Sequence, residues 1–185
     1  TDADLSNAVF PWLSGQQINV GAAQARAMRV NFVGELGWEL HHPIEMQAYI
    51  FDKLMEAGKP FAIKPFGIRA MGSLAIEKSY RLIPRELSIE YSALESGLHR
   101  FVHLNKGDFI GRNALIEWQQ RGFRNAFVTM EVHGVTDADA RGSEPILKNG
   151  KLVGRCTNGN FGWRVNKSLA LGMVSPELAA AGTEL

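Results

Sequence analysis

Residues 145–154 read Pro145-Ile146-Leu147-Lys148-Asn149-Gly150-Lys151-Leu152-Val153-Gly154. Asn149-Gly150 stands between two extended runs, and both residues tolerate the positive φ that a two-residue hairpin turn demands. The stretch predicts a β-hairpin. Working outward, Phe127-Val128-Thr129-Met130-Glu131-Val132 and the apolar run from Ser168 to Val174 predict further strands. Between them, Gly154-Arg155-Cys156-Thr157-Asn158-Gly159-Asn160-Phe161-Gly162-Trp163 reads as a Gly/Asn-rich loop whose aromatics either line a ligand cleft or merely connect strands. Everything beyond Gly122 therefore reads as β-structure.

Upstream the character changes. Apolar residues at 28, 30 and 32 alternate with polar ones, predicting a half-buried strand over 26–33. Gly34-Glu35-Leu36-Gly37 makes a turn and Trp38-Glu39-Leu40-His41 resumes extended structure, so the two pieces predict a hairpin. Pro43 and Gly58 bracket an amphipathic helix over 44–57, with Met46, Tyr49, Ile50, Leu54 and Met55 at helical spacing. Pro65 opens a second helix running to about Lys78; Gly67 and Gly72 inside it lower its propensity and leave room for another backbone or a ligand. Residues 86–98 read as irregular and 101–104 as a short strand. Arg112 to Arg121 predicts a helix ended by Gly122, with Asp108 or Asn113 as its cap and Leu115, Ile116 and Trp118 on its inner face. The fold class is α+β: a mixed part over 1–122, then an all-β part over 123–185.

Composition narrows the function classes. The 20 basic and 19 acidic residues leave a formal net charge of +1, with no basic run of nucleic-acid type. No apolar stretch is long enough to span a membrane, and Thr1-Asp2-Ala3-Asp4 is unlike a signal peptide. The single cysteine, Cys156, forms no internal disulfide and reads as a buried small residue. These features fit a reducing compartment, cytoplasmic or, in a eukaryote, the mitochondrial matrix. No Walker loop or dinucleotide fingerprint is present, and the five histidines (His41, His42, His99, His103, His133) form no metal-ligand pattern, so no metal is expected. The chain lacks an initiator Met and stops at Gly182-Thr183-Glu184-Leu185, which reads like the start of a strand; a piece of a longer polypeptide is expected.

Two motifs carry candidate chemistry. Glu35 lies in a glycine-flanked turn, where a fixed carboxylate can accept two parallel hydrogen bonds from an amidine-like edge such as a pterin offers. A solvated turn glutamate is the simpler reading on spacing alone. Arg69 and Glu77 lie eight apart on the second helix; Arg69 could hold a carboxylate or orient Glu35. The plain alternative is a surface charge pattern of little energetic weight.

Taken in order, Val33-Gly34-Glu35-Leu36-Gly37-Trp38-Glu39-Leu40, Glu77-Lys78-Ser79-Tyr80-Arg81-Leu82, Lys106-Gly107-Asp108-Phe109-Ile110-Gly111-Arg112 and Lys167-Ser168-Leu169-Ala170-Leu171-Gly172 are far more specific than any one alone. From about Ser6 to Leu185 the chain resembles the family of glycine-cleavage T-proteins (aminomethyltransferases) and the C-terminal folate-binding halves of dimethylglycine and sarcosine dehydrogenases. The motifs look closer to the dehydrogenase branch. The resemblance implies part of a central α/β folate-binding domain over 1–122, with a linker helix, and a truncated C-terminal β-barrel-like domain over 123–185. It implies tetrahydrofolate as cofactor, held by Glu35 at the pterin edge, with Arg69, Tyr80, Arg81 and Trp163 close by. It implies transfer of a one-carbon unit from a small methylated amine or a glycine-derived donor. An FAD-bearing upstream domain would go with the dehydrogenase branch, and a lipoyl carrier protein with the aminomethyltransferase branch. The family's catalytic aspartate lies in an earlier segment that nothing here matches, so the catalytic residue is unknown and this piece alone is expected to be weak or inactive. A non-catalytic folate-binding or scaffold protein is the third reading. Related iron–sulfur assembly factors carry Cys where this chain has Asp108, which argues against that family.

Overall fold

The computed structural model describes residues 1–185. The chain forms two compact units, Thr1–Met71 and Gly72–Leu185.

The first unit is built on an antiparallel sheet of order β1-β2-β3, with β1 Gly15–Val20, β2 Ala23–Met28 and β3 Glu39–His41. Gly21 takes φ +60° in the two-residue turn between β1 and β2, and the Ala22 N–H donates to the Tyr49 hydroxyl of helix α1 (Gln47–Gly58) at 2.9 Å. Ala23, Ala25 and Ala27 point inward along β2 and alternate with exposed Gln24, Arg26 and Met28. Ala27 packs with Phe10 and Ile18, and Trp38 and Leu40 close over this core.

The hairpin expected over 26–41 exists, pairing Arg26 with His41, Ala27 with Leu40 and Met28 with Glu39. Its first strand ends at Met28, not at 33. The alternation misled there because the Asn31 side chain captures the next backbone N–H groups and turns the chain out of the ladder. Strand β1 escaped sequence reading because Ile18 and Val20 are its only bulky apolar residues.

The second unit holds an antiparallel sheet of order β4-β7-β6-β5: β4 Ala126–Glu131, β5 Pro145–Lys148, β6 Lys151–Gly162 and β7 Lys167–Val174. The sheet is open, with β4 and β5 as its edges. Asn149 and Gly150 take φ +52° and +75° in the expected hairpin turn. Residues 168–174 of β7 are all buried, and Leu169 and Leu171 pack against Phe127 and against Ile76 of helix α2 (Ile68–Glu77).

The presumed loop 154–163 is instead the body of strand β6. Its glycines are there for close packing: a Cβ at Gly154 would stand 2.5 Å from the Met173 carbonyl oxygen, and one at Gly159 would stand 2.1 Å from that of Ala140. A register shift between Cys156 and Asn158 inserts a bulge at Thr157 and buries two successive side chains, Cys156 and Thr157.

Helix α3 covers Arg112–Arg121 as expected, with Leu115, Ile116 and Trp118 half-buried. Gly111 precedes it at φ +88° with no side-chain cap, so neither Asp108 nor Asn113 serves. Residues 101–104 form no strand; a 3-10 turn, His99–Phe101, ends there. A Cβ at Gly67 would meet open space, whereas Gly72 lies against the Asn160 side chain.

The irregular segment between α2 and α3 is held by polar side chains. Arg81 Nε donates to the Ser96 carbonyl at 2.8 Å, and the Glu86 carboxyl, fully buried, accepts from the Leu82 N–H and the Thr157 hydroxyl. The Glu95 carboxyl accepts from the N–H groups of Ser92, Arg124 and Asn125.

Candidate functional site

In the first unit the candidate site is the turn between β2 and β3. The Asn31 Oδ1 accepts the N–H groups of Val33, Gly34 and Glu35, the last at 3.1 Å. One side chain thus fixes three successive peptides, and Gly34 takes φ +74° to make it possible. Glu35 is exposed at the head of this turn. Three residues on, the Trp38 ring packs edge-on to Phe10 at 6.3 Å, and the Arg29 guanidinium lies 5.7 Å from the Trp38 centroid. The backbone at Glu35 is thus held by Asn31, and the chain re-enters packed structure at Trp38. Arg69 stands in the first turn of α2 and is exposed.

In the second unit the candidate site is the end of β6. Trp163 is 76% exposed, unusual for an indole, and its ring meets Phe161 in a T-shaped contact at 4.9 Å. Two side chains of α2 hold it in place. The Ser73 hydroxyl donates to the Phe161 carbonyl at 2.7 Å and accepts the Trp163 N–H at 3.3 Å. Glu77 accepts the Arg164 N–H at 2.8 Å. Ser73 and Glu77 are thus the supports of Trp163. Sequence reading paired Glu77 with Arg69 and gave Ser73 no role, because helix spacing says nothing of a strand some ninety residues away.

Tyr80 and Arg81 are half-buried and follow α2 directly. Besides Ser96, Arg81 donates to the carbonyls of Ser79 at 3.2 Å and Gly97 at 3.3 Å, and its guanidinium lies 4.0 Å from the Phe127 centroid. Burial pulls its pKa down, partly countered by Glu86. This arginine braces the segment around it. Cys156 is buried, and desolvation, reinforced by the neighbouring Glu144, pushes its thiol up to about 12. It is a neutral thiol at physiological pH and no nucleophile. No group of three or more His, Cys, Asp or Glu side chains is placed to hold a metal ion. No helix is long and apolar enough to cross a membrane.

Comparison with known proteins places this geometry. The family model described as the GCVT N-terminal domain matches residues 1–106, and that of the glycine cleavage T-protein C-terminal barrel domain matches 125–185. The chain is 37% identical to human mitochondrial dimethylglycine dehydrogenase over its whole length, covering 21% of that protein. It is 38% identical to human mitochondrial sarcosine dehydrogenase, with 94% of the chain and 19% of the relative covered. An aminomethyltransferase from Desulfitobacterium hafniense is 31% identical over the whole chain, which covers 50% of it. The chain thus spans only about a fifth of the dehydrogenases' length. Among solved structures, the glycine cleavage system aminomethyltransferase T from Bartonella henselae superposes with a TM-score of 0.78 at 24% identity, over 86% of this chain and 44% of that one, and so shares the fold. With a family model spanning more than half of its residues, the chain belongs to the glycine cleavage T-protein family.

Proposed function

We propose that this chain is the tetrahydrofolate-binding part of an enzyme of one-carbon transfer, of the dimethylglycine or sarcosine dehydrogenase kind. The observation that carries the reading is the Asn31-locked turn that presents Glu35, in a chain of this family. A carboxylate on a rigid turn suits the paired N–H edge of a pterin, because two parallel charge-assisted bonds need a fixed acceptor. Arg69 supplies a positive charge for an anionic group of the ligand. Trp163, an exposed indole face, offers stacking area. Tyr80 offers a further aromatic ring, and Arg81 acts as a brace, its hydrogen bonds already given to three carbonyls.

Bound tetrahydrofolate supplies the nucleophilic nitrogen that takes up a one-carbon unit at the formaldehyde level. The chain's own task is to orient that ligand and keep water from the reactive carbon. The donor is a small methylated amine, and a flavin-bearing domain would complete such an enzyme. Identity near 37% with the dehydrogenases, against 31% with the aminomethyltransferase, favours this branch. An aminomethyltransferase taking its unit from a lipoyl carrier is the second reading.

The test is calorimetric titration of tetrahydrofolate into wild-type and Glu35→Ala protein. We expect binding, weakened in the variant by roughly 1.5–3 kcal/mol, the scale of hydrogen bonds to a charged group. Unchanged affinity would remove Glu35 from the site.

A further inference from the structure

A cavity of about 240 Å³ lies wholly within the second unit where the 141–143 loop crosses strand β6. Its lining is polar and includes three arginines, Arg85, Arg141 and Arg155, with Glu90 as the acidic residue. Two of the three are pre-oriented by internal bonds. Arg85 uses only Nη1, which donates to the Arg141 carbonyl at 3.0 Å, the Thr157 carbonyl at 3.1 Å and Asn158 Oδ1 at 2.7 Å. Arg155 uses only Nη2, which donates to Glu90 at 2.7 Å and to the Tyr91 hydroxyl at 2.9 Å. Each therefore keeps a fixed fork of Nε and the other Nη for a further acceptor. Arg141 gives its side chain to no partner, and the nearby Glu144 carboxyl is spent on the N–H groups of Arg141 and Gly142.

The loop that lines the cavity has an uncommon backbone conformation. Gly142 takes φ +114°, and a Cβ there would stand 2.5 Å from the Thr157 carbonyl oxygen. Ser143, which has a Cβ, nonetheless takes φ +78°. The Ser143 N–H donates to the Cys156 carbonyl at 2.7 Å, and the Cys156 N–H to that of Glu144 at 2.8 Å, which pins the loop in this conformation. Backbone held in so sparse a region is maintained only when its surroundings over-determine it, and such positions cluster at ligand sites.

We propose that this cavity is an anion site for a ligand bearing two or more carboxylates. Planar carboxylates match guanidinium forks, and the three arginines outnumber the lining Glu90 and the adjacent Glu144. Two sources carry this chemistry: the γ-linked glutamyl tail of a folate, and a free dicarboxylate. The first rests on the folate reading above; the site itself does not.

The experiment is calorimetric titration of tri-γ-glutamate and of glutarate into wild-type and Arg141→Glu protein, with far-UV circular dichroism to check folding. Arg141 is the residue to change because its side chain holds nothing else together. We expect tri-γ-glutamate to bind, to weaken at least about tenfold on charge reversal, and to weaken again as salt rises from about 0.1 M to about 1 M. Equal binding of glutarate assigns the free dicarboxylate; binding of the oligomer alone assigns the folate tail. No binding by wild type, or affinity unmoved by Arg141→Glu, overturns the proposal. Glu35→Ala separates the two readings, since it should weaken tetrahydrofolate and leave tri-γ-glutamate untouched.

Discussion

Glu35 and Trp163 reach the surface by opposite means. The turn under Glu35 is held by Asn31, four residues away, in a bundle of three backbone bonds. The strand end under Trp163 is held by Ser73 and Glu77, from 90 and 87 residues away. A local clasp forms as soon as its own few residues meet and costs little chain entropy to close. A distant one exists only once helix and sheet have packed. The carboxylate is thus a property of a short motif, and the indole a property of the assembled unit.

The largest expected effect tests the second half of that contrast. Leu171→Ala removes a fully buried side chain from the core shared by β7 and α2, and should destabilise the second unit by about 3 kcal/mol, read as a lower denaturation midpoint. The emission of Trp163, isolated by replacing the other tryptophans with phenylalanine, should shift toward that of a free indole in parallel. A Trp163 signal that stays put would mean that the strand end does not depend on packing.

The next pair sets the two clasps against each other. Asn31→Ala and Ser73→Ala should each cost about 1 kcal/mol, the scale of lost capping and neutral hydrogen bonds. Asn31→Ala should loosen the amides of Val33, Gly34 and Glu35 in hydrogen exchange and leave Trp163 fluorescence alone; Ser73→Ala should do the reverse. If both variants moved both probes, the division into local and distant support would be wrong.

The smallest effect is one of pH. Burial pushes the Glu95 carboxyl up, but N–H donors from Ser92, Asn125 and Arg124 outweigh it and hold the group below its ordinary value of 4.5. A depressed carboxyl stabilises the fold above its unfolded pKa and loses that contribution as pH falls through the folded one. Stability of the second unit should therefore decline from about pH 4.5 downward, and Glu95→Gln should flatten that limb. The Asn31 clasp contains no titrating group and should survive the same acid range. An acid limb unchanged in Glu95→Gln would take this residue out of the account.

The same contrast explains what could be read from the sequence. The Asn149-Gly150 hairpin, helix α3 and the turn at Glu35 are set by a few adjacent residues, and the structure has them where composition and spacing place them. Strand β6 was misread as a loop because its glycines and asparagines are those of a turn. Their true reason, the nearby backbone of Met173 and Ala140, is visible only in three dimensions. The brace made by Arg81 was likewise out of reach, since its acceptors are backbone carbonyls, which look alike in every sequence. Much that depended on a segment's own neighbours was legible, though not the Asn31 clasp that follows the end of β2 at Met28; what depended on another segment's backbone was not.

Strand β7 is the last of its sheet in the chain and yet lies between β4 and β6. During synthesis β4 emerges first and must wait, its ladder unpaired, while the β5–β6 hairpin can close by itself. Only when residues 167–174 leave the ribosome can β4 join the hairpin. Until then the edges of β4 and β6 that β7 will cover stay open, the kind of surface that holdase chaperones cover and that pairs wrongly between neighbouring chains. A ribosome stalled before Lys167 would leave a second unit unable to complete its sheet, however much of its sequence had already been made.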